Sequence, residues 1–519
     1  MSELARCLSL PADTPPHTPV RSSGHYTLQP AQQEIINAAV YCGAAFGMVG
    51  VGHGKGLAVW LLPAATNERR ALILSPASLI DELYAQRAKF REHFDLWDTP
   101  VGSYSLLSNN DFLEQAAPSL IICDEAHYLG NPDSTRTKRL LSYLGQHPRC
   151  RIVFLTGSPT TTSPRDYAHL LEACFGPYSP VPRDGPDLRS LHQCVSPDGD
   201  PGAWDWSRVS ALGDDVRAGL LGLLRAHPGV VLTTDTTASH VRLDLIQRGL
   251  RVPDRVRELV RMVRGKHCTP DGAEYFASDS AEAICVKQLY CGFWYRWVWT
   301  NTKDKRRWLS ARSEWYSAVR QELRVGGPGY DSPALVERAV GQEGTGELRA
   351  TLDDWLAVKD LCKPQQEAVW VDDFMILDAV HWLRGGGIIW YQYKAVADAL
   401  EKSGVRVFRA GQKRIEKVDC ALSIPSHGTG LNLQAWRRQL ITTPPSSGRR
   451  FEQLLGRTHR LGQEAESVEG HIYQYCAPFR RAYKAARADA RYIEETTSQR
   501  QKLLHGNDAR LPREDHRRT

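Results

Sequence analysis

Residues 120–129 read LIICDEAHYL, and the fold turns on how that run is interpreted. Apolar and β-branched residues open it, as a strand buried on both faces of a parallel sheet requires. Asp124 and Glu125 then fall where the strand ends. Two adjacent carboxylates at that position are costly unless they hold a cation or a reacting water. In a nucleotide site they do both: Asp124 is the expected Mg²⁺ ligand, and Glu125 the group that orients or deprotonates the attacking water. Four letters also fit an ordinary solvent-facing acidic pair, so the flanking sequence has to decide.

Upstream, residues 46–63 read FGMVGVGHGKGLAVWLLP. Gly50, Gly52 and Gly54, with His53 between the last two, precede Lys55 and a helical pattern. Glycines let backbone N–H groups turn toward a phosphate, and the following helix N-terminus adds a favourable dipole. Lys55 is expected on the β- and γ-phosphates. Gly56 departs from the pattern, because a Ser or Thr hydroxyl at that place coordinates Mg²⁺. ATP binding with reduced turnover is therefore expected, and Gly56→Thr is expected to raise hydrolysis. Before this loop, residues 26–41 predict a turn and an amphipathic helix starting at Pro30. Gln32 lies at its start and carries the donor and acceptor that reading an adenine edge needs.

From about residue 26 to 175, strands alternate with helices, which indicates a parallel sheet with βαβ connections. Such sheets bind ligands beyond the carboxyl ends of their strands. The glycine loop, the acidic pair and the turn at Thr156, Gly157, Ser158 and Pro159 all fall on that edge. Residues 176–280 are rich in loop signals, with candidate strands in GVVLTTDT and HVRLDLIQRGLRVP. Residues 281–324 mix aromatic and basic side chains at helical spacing. They fit equally an arm on a nucleic-acid backbone, using Lys303, Lys305, Arg306 and Arg307, or a small core with solvated charges. The strand–helix alternation returns over 366–478, predicting a second sheet of the same kind.

Composition sets outer bounds. The 519 residues suffice for two to four domains. Lys and Arg number 65 against 59 Asp and Glu, a net charge of +6 that permits a nucleic-acid partner without arguing for one. No apolar run is long enough to span a bilayer, and no secretory signal is expected at the N-terminus. The twelve cysteines are scattered, Cys285 and Cys291 lying nearest, and match no zinc pattern.

Taken together, the motifs resemble those of superfamily 2 helicases, and within them the Swi/Snf-type ATPases in the compact form of bacteriophages and prophages. Gln32 is similar to the Q motif; Gly52, Gly54 and Lys55 to motif I; DEAH at 124–127 to motif II; TGSP to motif III. SHGTGLNLQ at 426–434 is similar to motif V, and QLLGRTHRLGQ at 453–463 to motif VI, the most specific of the set.

The resemblance implies an α/β fold of two RecA-like parallel-sheet lobes with an α-helical insertion between them. The expected parts are a disordered tail over 1–24, lobe one over 25–180, a linker and insertion with the aromatic and basic arm over 181–365, lobe two over 366–478, and a C-terminal helix and charged tail over 479–519. It implies ATP and Mg²⁺ in the cleft, with Gly430 and Gln453 adding nucleotide contacts. Arg457 and Arg460, three residues apart and expected on one helix face, would reach across to the γ-phosphate. Ser75, Pro76, Ala77 and Ser78 of lobe one, and Ser426, His427, Gly428, Thr429 and Asn432 of lobe two, would grip nucleic acid.

The implied activity is ATP-dependent translocation along DNA, duplex ahead of single strands, with RNA helicase or weakly hydrolysing scaffold as alternatives. The implied setting is viral or bacterial replication, recombination or repair in the cytoplasm, alongside other proteins of those processes and away from membranes.

Overall fold

The structure is a computed structural model. It describes residues 26–50, 54–157, 163–183, 185–196, 212–233, 241–273, 275–276, 279–299, 305–325, 333–343, 346–361, 364–409, 412, 415–428, 431–460 and 462–510. The tail expected over 1–24 lies outside them.

Six strands make the first sheet: β1 (Ala44–Met48), β2 (Ala71–Ser75), β3 (Val101–Ser103), β4 (Leu120–Asp124), β5 (Arg151–Thr156) and β6 (Val230–Leu232). All are parallel, in the order β3-β2-β4-β5-β1-β6. Alternation along each strand explains why their sequences are apolar throughout. Ile121, Cys123, Ile152 and Phe154 face one buried cluster with Tyr167 and Leu170. Leu120, Ile122, Val153 and Leu155 face another with Ile35, Trp60 and Leu83. Helices cover both faces, so a polar side chain escapes burial only at a strand end.

The second sheet uses β7 (Arg242–Arg248), β10 (Ile388–Tyr391), β11 (Arg406–Phe408), β12 (Cys420–Ser423), β13 (Arg438–Ile441), β14 (Ser467–Tyr473) and β15 (Asn507–Arg510). It too is parallel, in the order β11-β12-β10-β13-β14-β7-β15. The fold is thus α/β, with two parallel sheets and helices interspersed.

Two strands come from the segment read as linker. β6 closes one edge of the first sheet, and β7 lies inside the second, seven residues in register with β14. A buried ion pair holds β7 in place: Arg248 Nη2 is 3.0 Å from Asp378 Oδ1, and Tyr473 of β14 donates to the other oxygen of Asp378.

Inserted between β7 and β10, β8 (Phe293–Val298) and β9 (Gln365–Trp370) form an antiparallel pair whose Phe293 packs in a core of the second sheet, so the insertion belongs to the second lobe rather than lying between the two. Helices Lys305–Val325, Pro333–Glu343 and Gly346–Lys359 follow β8. Trp308, Trp315 and Trp355 are buried in a core of their own. Arg312 lies 5.2 Å from the Trp297 ring and 5.6 Å from that of Trp308. The aromatics therefore pack against each other, while Arg306 and Arg307 are exposed and Lys305 is half-buried with its ammonium 5.6 Å from the Trp299 ring. Lys303 lies outside the described residues.

The helix Ala477–Thr497 crosses from one lobe to the other. Tyr483, Ala486 and Ala490 belong to the core of the second sheet, whereas Tyr492 sits in that of the first. Among the described residues no helix is long and apolar enough to cross a membrane.

Candidate functional site

The first sheet aims β2, β4 and β5 at one edge. Asp124 ends β4, and Glu125 follows with φ 55°, a left-handed backbone that costs a β-carbon-bearing residue energy. That kink turns the Glu125 carboxylate back beside Asp124 and toward Lys55, the first residue of helix Lys55–Ala65. Lys55 Nζ is 3.4 Å from Glu125 Oε1. His127 Nδ1 lies 3.2 Å from Glu125 Oε2 and 3.2 Å from Thr156 Oγ1, tying the ends of β4 and β5 together. Tyr104 donates to the Asp124 carbonyl at 2.7 Å and stacks on Tyr128.

Lys55 stands beside a buried carboxylate, Asp124, and a half-buried one, Glu125, and their titration reflects it. Burial, then the charge of Glu125, pushes Asp124 up to about 7. Burial alone would raise Glu125 as well, but Lys55 and then His127 outweigh it and hold that carboxyl well below its usual range. Asp124 is left short of positive charge, at a strand end where a cation can approach.

Across from these groups stands the helix Gly448–Thr458 of the second lobe. One crevice is lined by Gly54, Lys55, Gly56, Pro76, Asp124, Glu125, His127 and Gly157 on one side and by Gln453, Arg457 and Arg460 on the other. Arg457 is buried, donating from Nε to the Gln453 carbonyl at 3.1 Å and from Nη1 to that of Leu431 at 3.0 Å. Burial, then Arg460, lowers Arg457 to about 10, so it stays charged at neutral pH.

Arg460 reaches the crevice by a different route from the one expected. The helix stops at Thr458, so the two arginines do not share a helix face. Gln463 Nε2 takes the Thr458 carbonyl at 2.9 Å and that of Trp436 at 3.2 Å, ending the helix and turning Arg460 inward.

Several expected contacts are spent within the protein. Gln32 is fully buried, its Oε1 accepting from Gln29 N at 2.9 Å and its Nε2 donating to Gly54 O at 2.9 Å. It pins the end of the glycine loop rather than presenting an adenine-reading edge. Gly50 N–H donates to Thr233 Oγ1 at 3.0 Å, a partner from the end of β6. Ser75 is buried at the end of β2 and donates to Asp124 Oδ2 at 3.4 Å, so it supports the carboxylate and does not face a nucleic acid.

His427 is likewise buried. Its Nδ1 accepts from Ser423 N at 3.2 Å and its Nε2 faces the Gln412 carbonyl at 3.0 Å, which fixes the tautomer and removes it from any phosphate. Burial lowers its pKa. Gly428 lies in a neighbouring crevice with Gln453, and Ser426 is half-buried. Ala77, Ser78 and Asn432 are exposed. Gly52, His53, Ser158, Pro159, Thr429 and Gly430 lie outside the described residues.

Sequence reading expected a helix after the Ser75–Ser78 loop, found at Ile80–Phe90, but named none of its residues as part of the site. Leu79, Glu82, Leu83 and Gln86 line the crevice from it and its cap. Their spacing of three, four and seven residues marks one helix face, a signal that was open to reading. It also missed Arg449, whose pKa burial lowers, and which lines the neighbouring crevice with Arg136 and Arg450.

Residues 57–177 match the family profile described as SNF2-related domain. No curated protein sequence matches the chain. A solved structure, the Sulfolobus solfataricus SWI2/SNF2 ATPase core in complex with dsDNA, is similar at 13% identity over 87% of this chain and 88% of that one. Its TM-score is 0.34, a level of likeness on which nothing further rests. The matched segment, less than a quarter of the chain, spans β2, β4 and β5 and the acidic pair, and it is this segment that is similar to SNF2-related domains.

Proposed function

We propose that the chain hydrolyses ATP in the crevice between its two sheets and uses the cycle to move along DNA. One observation carries this reading: Lys55, Asp124 and Glu125 of the first lobe line the same crevice as Arg457 and Arg460 of the second. A triphosphate there meets cations from both lobes, so binding favours closure and hydrolysis weakens the tie.

Each side chain has a role that follows from its surroundings. Lys55 at the helix start binds the β- and γ-phosphates. In doing so it leaves Glu125, which then loses its nearest cation and becomes a better acceptor for the proton of the attacking water. Arg457 and Arg460 stabilise the charge spread over the γ-phosphoryl oxygens. Gln32, by holding Gly54, keeps the loop end in the geometry that faces the phosphates. The carboxylate of Asp124, under-neutralised where it stands, fits a divalent cation. Mg²⁺ bound there would supply the charge that offsets the phosphates.

The motif ending HRLGQ supports duplex DNA as the track, ahead of single strands and RNA. The surface points proposed for it are Ala77, Ser78, Ser426 and Asn432. The same reading puts the work in viral or bacterial replication, recombination or repair in the cytoplasm. Gly56 favours one rival, a pair of lobes that holds nucleic acid and hardly turns over.

The deciding measurement is phosphate release with no polymer and with duplex, single-stranded and forked DNA and RNA. Duplex DNA should stimulate it most, and Glu125→Gln should abolish it while nucleotide still binds. Release that no polymer stimulates would leave the scaffold reading in possession.

A further inference from the structure

Gly56 removes an oxygen from the place where a phosphate loop ordinarily offers a Ser or Thr hydroxyl to Mg²⁺. The space is not empty. A Cβ built on Gly56 would lie 2.1 Å from Gln86 Oε1, with Gln86 Cδ at 3.3 Å and Nε2 at 3.9 Å. The amide oxygen of Gln86 thus stands where a side chain at position 56 would be. We propose that Gln86 supplies the missing oxygen, binding the divalent cation that accompanies the nucleotide. The inference rests on the reading of this crevice as an ATP site.

Three features direct that oxygen. Gln86 Nε2 donates to Glu82 Oε1 at 3.2 Å, one helical turn earlier. A carboxylate only accepts, so the NH₂ must face Glu82 and the oxygen must face Gly56. Glu82 and Gln86 line the crevice that holds Lys55, Asp124 and Glu125. An amide carbonyl is a hard neutral oxygen ligand, compatible with Mg²⁺. The ligand has moved from the loop to the adjacent helix Ile80–Phe90 while the site keeps its oxygen. A side chain at 56 would have to displace the Gln86 amide from this place.

The test measures how much Mg²⁺ the full chain needs to bind a fluorescent non-hydrolysable ATP analogue, with Mn²⁺ binding followed by electron paramagnetic resonance. Gln86→Met keeps the length and deletes the oxygen. It should raise the Mg²⁺ requirement about tenfold or more, with binding in EDTA unchanged. Gln86→Glu should match or lower the requirement of the unsubstituted chain. Gly56→Thr added to Gln86→Ala should return the requirement to that of the unsubstituted chain, because the shortened side chain leaves the hydroxyl room. An unchanged Mg²⁺ requirement in Gln86→Met overturns the assignment, as does equal loss of binding with and without metal, which would make Gln86 a packing residue. Failure of the unsubstituted chain to bind the analogue at all removes the ATP reading itself, an outcome distinct from either.

Discussion

Gly54 is the position where one methyl group should do the most damage. Its φ is +70°, a left-handed backbone at the N-cap of helix Lys55–Ala65. An Ala there would carry the left-handed penalty of about 1–2 kcal/mol. Its Cβ would also stand 2.2 Å from Gln32 Nε2. Gln32 cannot swing aside cheaply, being fully buried and bonded at both ends of its amide. Displacing it strands the Gly54 carbonyl and the amide, at about 1–2 kcal/mol more.

The strain totals about 2–4 kcal/mol and is relieved when the loop leaves its native form. Nucleotide affinity should then fall roughly 30- to 700-fold. The melting temperature should move little, because the rest of the lobe is untouched. Calorimetric titration with a non-hydrolysable ATP analogue on Gly54→Ala, Gln32→Ala and the double variant tests this. Gln32→Ala relieves the clash but not the left-handed strain, so the double variant should bind better than the sum of the single losses allows. Gly54→Ala with affinity within threefold of the parent, or strict additivity, would refute the account of Gln32 as the clasp of the loop.

Three further outcomes are expected. Arg457→Ala should lower the rate of ATP hydrolysis about 10³-fold while changing nucleotide affinity far less, read by single-turnover kinetics; a melting curve beside it separates the lost bonds to Leu431 and Gln453. Tyr492→Ala should destabilise the protein by about 3 kcal/mol in denaturant titration, since the ring is fully buried against the first lobe and Arg217 lies 5.6 Å from its centre.

The third concerns pH. Burial lowers His471 from 6.5 to about 4, so the unfolded chain takes up a proton that the folded chain refuses. Its contribution is complete above about pH 6.5 and is lost as pH falls toward 4, at most about 3 kcal/mol. His471→Gln should flatten that part of the stability profile, measured as the unfolding midpoint at pH 7 and pH 4.5.

Much of the architecture was legible from residue order alone, because a parallel strand buried on both faces must be apolar at every position. LIICD, RIVFLT and IIWY announce themselves this way, and the acidic pair and the TGSP turn mark strand carboxyl ends. β6 and β7 were harder to place. Their candidate segments could be found, but sheet membership depends on partners two hundred residues away, such as Ser467–Tyr473 for Arg242–Arg248.

Side-chain commitment was likewise invisible in sequence. Gln32, Ser75 and His427 match motifs by letter, yet hydrogen bonding to Gly54, Asp124 and the Gln412 carbonyl decides what each can still touch. Chain order showed that position 56 lacks a hydroxyl. Only folding could show that an oxygen from position 86 stands beside it, because a helix face and a loop thirty residues earlier meet through packing that no local pattern encodes.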